Sequence, residues 1–210
     1  MFTPTLTGLG ERAHLYRDDL DLETHIADVM GVIDFEDLRE VTLVGHSYGG
    51  MIITAIADRA PERLARVVYL DALWPEDGES VADVVGELAT QAVVAARVDP
   101  EHPPLLAGGL EVAHMLGVTD PGDAAWVASR LTPQPPASLT QPLRLERATT
   151  GVPVLFIACL GTELGGPELS HQRAEARAAV DPTVRVATLA DAPHNAMVTH
   201  PDEVTELLTR

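Results

Sequence analysis

Lysine is absent from this sequence of 210 residues, and cysteine occurs only once. All 14 cationic residues are arginines, so the chain offers no lysine for a Schiff base or for general-base catalysis. The single cysteine, Cys159, excludes an internal disulfide and a metal site built from several cysteines. Because Cys159 ends an apolar run that begins at residue 154, we expect a buried thiol without a catalytic role.

Positive charge is also scarce, since 32 acidic residues give the chain a formal net charge of −18. Phosphate binding requires a basic surface, so we do not expect nucleic acid as a partner. No apolar run approaches the roughly 20 residues of a membrane-spanning helix. Residues 1–4 lack the basic start and the apolar stretch of a signal peptide, and we expect a cytoplasmic protein with no membrane partner.

Segments with strand and helix character alternate along the chain, which favours an α/β fold with a mostly parallel sheet. Apolar runs typical of strands that are covered on both faces occur at residues 41–44, 64–70, 152–157 and 184–189, and the end of a fifth at residues 2–6. Apolar spacing and helix start and stop signals predict helices at residues 22–33, 51–60 and from 201 onward.

Residues 74–145 interrupt this alternation. They contain two predicted helical stretches, at 81–98 and 121–130, and then the proline-rich residues 132–136. We predict that this insertion forms a helical cap over the strand ends and shapes a binding pocket, with residues 1–73 and 146–210 as the α/β core. An ordinary helical excursion is the alternative.

Residues 45–49, Gly-His-Ser-Tyr-Gly, match the nucleophile-elbow pattern G-x-S-x-G between a predicted strand and a predicted helix. A serine in so sharp a turn has strained backbone angles, and the surrounding glycines let strand and helix approach closely. The serine hydroxyl then projects from the C-terminal edge of the sheet, where open α/β folds bind ligands. The pattern predicts Ser47 as a catalytic nucleophile.

A serine hydroxyl needs a base to become an effective nucleophile. His194 lies in the loop 191–195, after the last predicted strand, and therefore at the same sheet edge as Ser47. The order serine, acid, histidine accompanies the G-x-S-x-G elbow, so we predict His194 as the base. We expect His46 to point away from Ser47. The other histidines lie in predicted loops or helices and are not expected to be catalytic: His14, His25, His102, His114, His171 and His200.

Two carboxylates are candidates for the acid that orients His194 and stabilises its imidazolium. Asp71 directly follows the predicted strand 64–70, and Glu163 lies a few residues beyond the run 152–157. Both positions are at the C-terminal edge of the predicted sheet. The residues by themselves leave the choice open.

Four motifs resemble those of bacterial α/β-hydrolases of the esterase and hydroxynitrile lyase group. They are Thr-Leu-Thr-Gly-Leu-Gly-Glu-Arg at 5–12, Val-Gly-His-Ser-Tyr-Gly-Gly-Met at 44–51, Tyr-Leu-Asp-Ala at 69–72 and Pro-His-Asn-Ala-Met at 193–197. The resemblance extends over nearly the whole chain. It implies an α/β-hydrolase fold and a carboxylesterase-type enzyme that acts without metal or cofactor on small, fairly apolar substrates.

The resemblance also bears on the acid. Plant members of the group carry it after the later strand, near Glu163, and have alanine where Asp71 stands here. Bacterial relatives with the Leu-Asp-Ala motif often lack an acid at the later position, so the resemblance favours Asp71. Hydroxynitrile lyases of the group have a lysine directly after the catalytic histidine. Here that residue is Asn195, and cyanohydrin cleavage by their mechanism is not expected.

The group normally begins with strands, a helix and a His-Gly loop that supplies an oxyanion-hole donor, and this chain lacks them. We therefore expect the sequence to be truncated; the alternative is a short protein whose sheet closes differently. The backbone N–H of Tyr48 is then the remaining predicted oxyanion donor.

Together these features predict a serine esterase with the triad Ser47, Asp71 and His194 and a small-molecule ester as its partner; a homodimer is left open. One alternative is a small-molecule binding protein that has kept the triad but lost turnover. Another is a lactonase or cyclase of small-molecule biosynthesis that uses the same triad.

Overall fold

The computed structural model describes residues 1–96, 99, 101–103, 105–147, 150–161 and 165–210. The strands are β1 (Val41–His46), β2 (Leu64–Leu70), β3 (Val154–Cys159) and β4 (Val184–Leu189). The α-helices are α1 (Leu22–Phe35), α2 (Gly49–Arg59), α3 (Val81–Val85), α4 (Glu87–Ala95), α5 (Gly109–Met115), α6 (Pro121–Ala128), α7 (Pro136–Thr140), α8 (Gly165–Ala178), α9 (Ala196–Thr199) and α10 (Pro201–Thr209). Short 3₁₀ helices occupy Gly10–Leu15 and Pro61–Arg63.

The four strands form one parallel sheet in the order β1-β2-β3-β4. The register aligns their C-terminal ends, because His46 pairs with Leu70 and Leu70 pairs with Ile157. Ser47 and Asp71 directly follow the paired residues His46 and Leu70, so they leave neighbouring strands at the same edge of the sheet.

Helices cover both faces of the sheet at β2, as its continuous apolar run predicted; the edge strand β1 differs from the prediction, because Thr42 is exposed and Val44 is 42% exposed. On β2, Val67 and Tyr69 belong to a core cluster with α1 and α2, whereas Val68 and Leu70 pack in a second cluster with α9 and α10. Helix α2 lies deep in the first cluster, with every residue from 50 to 58 buried. The start of α2, which directly follows the predicted elbow, is therefore fixed by core packing.

Two predicted elements differ in the structure. The predicted helix 81–98 is divided into α3 and α4 at Gly86, whose φ of 91° no helix accommodates; residues 97 and 98 lie outside the described part of the chain. Residues 2–6 form no strand. Phe2, Thr3, Pro4 and Leu6 line a cavity of about 650 Å³ that residues of β1 also line.

Helices α3 to α7 fall within residues 74–145, between β2 and β3. This segment contacts the core at several points: Thr132 Oγ1 accepts from the Gly10 N–H at 3.2 Å, and the Leu116 carbonyl accepts from the Asn195 N–H at 3.2 Å. Within the described part of the chain, no helix is long and apolar enough to cross a membrane.

Because α2 approaches the segment after β2 closely at Gly50, a single methyl group added there should strongly lower the stability of the fold. A Cβ at Gly50 would lie 1.9 Å from the Leu73 carbonyl oxygen, a backbone atom that cannot move alone. We expect Gly50→Ala to lower the free energy of unfolding by at least about 2 kcal/mol, measured by urea denaturation.

Gly31 in α1 provides the matched control, because a Cβ there would meet no atom within 4 Å. Gly31→Ala should raise the free energy of unfolding by roughly 0.5–1 kcal/mol, since alanine loses less backbone entropy on folding. Equal effects of the two substitutions would contradict the close packing at Gly50.

Candidate active site

Ser47 occupies a strained turn between the end of β1 and the start of α2. Its φ of 52° lies in the left-handed region that side-chain-bearing residues avoid. Its carbonyl oxygen accepts hydrogen bonds from the N–H groups of Gly50 and Leu73, both at 3.0 Å. These two bonds hold the turn from the helix side and from the segment after β2, so the strained conformation is fixed from both directions.

Two glycines, Gly45 and Gly50, make this turn sterically feasible. A Cβ at Gly45 would lie 2.7 Å from the Gly49 carbonyl oxygen, and one at Gly50 would overlap the Leu73 carbonyl. At Gly49, by contrast, a Cβ would meet nothing within 4 Å. The close approach therefore depends on the first glycine of the G-x-S-x-G pattern and on the glycine that follows the pattern.

Asp71 is the first residue after β2 and has a φ of 42°, also in the left-handed region. Its N–H donates to the Ile157 carbonyl at 2.8 Å, and its Oδ1 accepts from the Cys159 N–H at 3.2 Å. The carboxylate is therefore fixed against β3. Only 2% of Asp71 is exposed to solvent.

His194 lies in the loop after β4, directly before α9, and is 3% exposed. Its Nδ1 is 2.6 Å from Asp71 Oδ2. A carboxylate can only accept here, so Nδ1 carries the proton and Nε2 presents a lone pair. The arrangement fixes the tautomer in which Nε2 can act as a base.

The contacts of His46 bring His194 to the same sheet edge as Ser47. The His46 Nε2–H donates to the His194 carbonyl at 2.9 Å, and the two rings are 4.5 Å apart between centroids. The hydrogen bonds of the described residues do not include one between Ser47 Oγ and His194 Nε2. The structure thus joins His194 to Asp71 directly and to the elbow through the residue beside Ser47.

Tyr48 stands at the N-terminal end of α2, where a backbone N–H has no partner within the helix. Its side chain belongs to a series of two hydrogen bonds that links Tyr48, His25 and Thr7. The Tyr48 hydroxyl donates to His25 Nδ1 at 2.8 Å, and the His25 Nε2–H donates to the Thr7 carbonyl at 3.0 Å. Burial raises the pKa of Tyr48 and lowers that of His25, so both groups stay neutral near pH 7.

Sequence reasoning missed the contacts of two histidines. His46 contacts His194, and its position beside the elbow gave no sign of this; that its side chain points away from Ser47 stays a prediction. His25 is fully buried on α1, three residues after Leu22 and one before Ile26, and this place beside the apolar stripe was the available signal of its burial.

The remaining predictions concern Glu163 and Cys159. Glu163, the second candidate acid, lies outside the described residues. Cys159 is buried, and burial together with the nearby Asp71 charge raises the pKa of its thiol to about 12, as expected for a thiol without a catalytic role. Among the described residues, no group of three or more histidine, cysteine or acidic side chains is arranged to hold a metal ion.

Comparison with known proteins identifies the family of the chain. The alpha/beta hydrolase family matches residues 1–207, and the chain belongs to this family. It is 40% identical over 158 residues to the carbendazim hydrolyzing esterase of Nocardioides sp. (strain SG-4G), which covers 69% of this chain and 62% of that protein. It is 24% identical over 188 residues to the probable esterase PIR7A of Oryza sativa subsp. indica, which covers 82% of this chain and 70% of that protein. The chain therefore spans less than two thirds of the Nocardioides protein.

Solved structures show the same fold. An extracellular alpha/beta-hydrolase from a Paenibacillus species superposes with a TM-score of 0.77 at 20% identity, over 99% of this chain and 85% of that one. Polyneuridine aldehyde esterase superposes with a TM-score of 0.72 at 20% identity, over 97% and 84%. The predicted α/β-hydrolase fold is confirmed.

The strain at Ser47 predicts an unusual order of stabilities. An L-residue in the left-handed region costs roughly 1–2 kcal/mol, and glycine avoids this cost. Since glycine also loses more backbone entropy, we expect Ser47→Gly to exceed Ser47→Ala in unfolding free energy by about 0.5–1 kcal/mol. Urea denaturation measures this difference. Both variants lack the serine hydroxyl, so the effect of its loss on the unfolding free energy cancels in the comparison.

Ser129, with a φ of −69°, is the control position. At Ser129 the order of unfolding free energies should reverse, with Ser129→Ala more stable than Ser129→Gly, because alanine favours helical backbone angles more than glycine does. A Ser47→Gly variant that is less stable than Ser47→Ala would contradict the strained turn.

Proposed function

We propose that this protein is a serine hydrolase that cleaves carboxylic esters of small, fairly apolar molecules. Ser47 is the nucleophile, His194 the general base and Asp71 the acid that orients it. The observation that carries the proposal is the 2.6 Å hydrogen bond between His194 Nδ1 and Asp71 Oδ2, buried at the sheet edge where the Ser47 turn lies. The esterase names of the two relatives support the same activity.

The reaction begins when His194 Nε2 takes the proton from Ser47 Oγ. The oxygen attacks the ester carbonyl carbon, and the Tyr48 N–H at the start of α2 stabilises the oxyanion that forms. His194 then returns the proton to the leaving alkoxide, which departs as an alcohol and leaves an acyl group on Ser47. Water deprotonated by His194 attacks the acyl carbon, releases the carboxylic acid and restores the serine.

Asp71 contributes without exchanging a proton. Its buried carboxylate keeps the proton of His194 on Nδ1, and its charge stabilises the imidazolium that forms at each transfer. Because the Cys159 N–H occupies the other carboxylate oxygen, Oδ2 remains directed to the histidine.

We assign residues 74–145 the role of a cap, and residues 1–73 and 146–210 that of the catalytic core. Three contacts support this. The Leu116 carbonyl bonds to the Asn195 N–H, a Cβ at Gly117 would meet Pro193 at 2.1 Å, and Thr132 bonds to Gly10. The segment therefore packs against the loop that carries His194, where it can determine which substrates reach Ser47.

A small-molecule binding protein without turnover is the second candidate function. It is favoured by one observation, that no hydrogen bond between Ser47 Oγ and His194 Nε2 is found among the described residues. A binding protein would retain esters unchanged, whereas an esterase would convert them, so the two are separated by product formation.

Activity is tested with p-nitrophenyl acetate under pre-steady-state conditions. We expect a burst of p-nitrophenol equal to the amount of enzyme, because acylation of Ser47 releases the phenol before water acts. Ser47→Ala should abolish both the burst and labelling by a fluorophosphonate. A panel of small esters, with carbendazim included, then defines the substrate range. An unlabelled wild-type protein with no burst would contradict the proposal.

Asp71→Asn tests the role of the acid. The amide is nearly isosteric, but it can donate to His194 Nδ1 and so favour the wrong tautomer. We expect the kcat for ester hydrolysis to fall by a factor on the order of 10⁴. Asp181→Asn is the control, because that carboxylate is only partly buried and bonds to Thr183 within its own turn, away from His194. A drop of less than tenfold in Asp71→Asn would assign the acid to another residue.

A further inference from the structure

The imidazole of His46 forms a bridge between the two halves of the candidate active site. Through its backbone, His46 is joined directly to Ser47. Through its ring, it donates a 2.9 Å hydrogen bond to the carbonyl oxygen of His194 and lies 4.5 Å from the His194 ring. Because a carbonyl only accepts, the ring carries its proton on Nε2.

Several contacts hold the loop that carries His194. Asp71 accepts from the ring at Nδ1, the Leu116 carbonyl accepts from the N–H of Asn195, and the Gly161 N–H donates to the Ala192 carbonyl at 3.0 Å. His46 holds the carbonyl of His194 itself. Of these contacts, only that of His46 comes from a residue covalently bonded to Ser47. It therefore relates the position of the base directly to the position of the nucleophile.

We propose that His46 is a positioning residue, which sets the separation and angle between the Ser47 hydroxyl and His194 Nε2 by holding the His194 peptide. The inference rests on the proposed function of Ser47 as a nucleophile. It extends that function to a residue within the elbow whose side chain takes no part in the proton transfers.

The charge state of His46 suits this role. Burial, and secondly the neighbouring His194, lower the pKa of His46 to about 3, so the ring is neutral near pH 7. A neutral ring keeps its Nε2–H for the carbonyl. It also places no positive charge beside His194 when that ring becomes an imidazolium during the reaction.

The test compares three substitutions. His46→Gln keeps an N–H donor at nearly the reach of Nε2, whereas His46→Phe keeps the ring shape without a donor and His46→Asn carries a donor that is too short. The readouts are the second-order rate of fluorophosphonate labelling of Ser47 and, for p-nitrophenyl acetate, kcat and KM measured separately.

We expect His46→Phe and His46→Asn to lower the labelling rate and kcat by roughly 10–100-fold, as misplacement of reacting groups by an ångström or less does. KM should change by less than about twofold, because the lost interaction acts on the transition state rather than on substrate binding. His46→Gln should recover the labelling rate to within about threefold of the wild type.

His14 supplies the matched control, since its Nδ1 also lies near a backbone carbonyl, that of Glu11 at 3.3 Å, but on an exposed 3₁₀ helix. His14→Phe should leave labelling and kcat unchanged. Urea denaturation of every variant distinguishes a loss of folding from a loss of reaction rate. If His46→Phe does not fold, the comparison of His46→Asn with His46→Gln provides the test.

Three results overturn the inference. The first is wild-type labelling by both His46→Phe and His46→Asn. The second is a His46→Gln variant as slow as His46→Phe, which would assign His46 a purely structural role. The third is an unlabelled wild-type protein, which overturns the proposed function and this inference with it; in that case the His46 variants show no rate to compare.

Discussion

The hydrogen bond between His194 Nδ1 and Asp71 Oδ2 joins residues that are 123 positions apart, and the rest of the site is arranged around it. Both side chains are almost fully buried, so Asp71 Oδ2 and His194 Nδ1 depend on each other for a partner. Leaving a buried hydrogen-bonding group without its partner typically costs about 1–3 kcal/mol. The bond therefore constrains the fold as well as the proposed chemistry: β2, β3 and the loop after β4 must stay in register for it to form.

The register of the parallel sheet explains how the pair meets. Asp71 bonds to Ile157 and Cys159 of β3, which brings its carboxylate toward the loop beyond β4. The left-handed conformation of Asp71 redirects the chain at this point, and Ser47 does the same at the end of β1. The N–H of Leu73 then bonds to the Ser47 carbonyl. This bond connects the segment after Asp71 to Ser47. The core packing of α2 then stabilises the left-handed conformations of both residues.

The positions of Ser47, Asp71 and His194 at the sheet edge could be predicted from the sequence. Apolar runs mark the strands, and a residue that follows such a run lies at the C-terminal end of its strand. The fold followed from the same alternation. The helical spacing of α1 could indicate that His25 is buried. The contacts of the His46 and His25 rings could not be predicted, since ring orientation depends on the packing of distant segments. Residues 2–6 have the character of a strand end, but pairing depends on a neighbour at hydrogen-bonding distance, and among the described residues β1 pairs with β2 alone.

The central claim is that Ser47 and His194 act as one nucleophile–base pair. A crystal structure of the protein after reaction with a fluorophosphonate measures this directly. The account predicts phosphorus bonded to Ser47 Oγ, with His194 Nε2 within about 3.2 Å of that oxygen and Asp71 still bonded to Nδ1. Phosphorus on another residue, or a His194 ring turned away from Ser47 in the adduct, would contradict it.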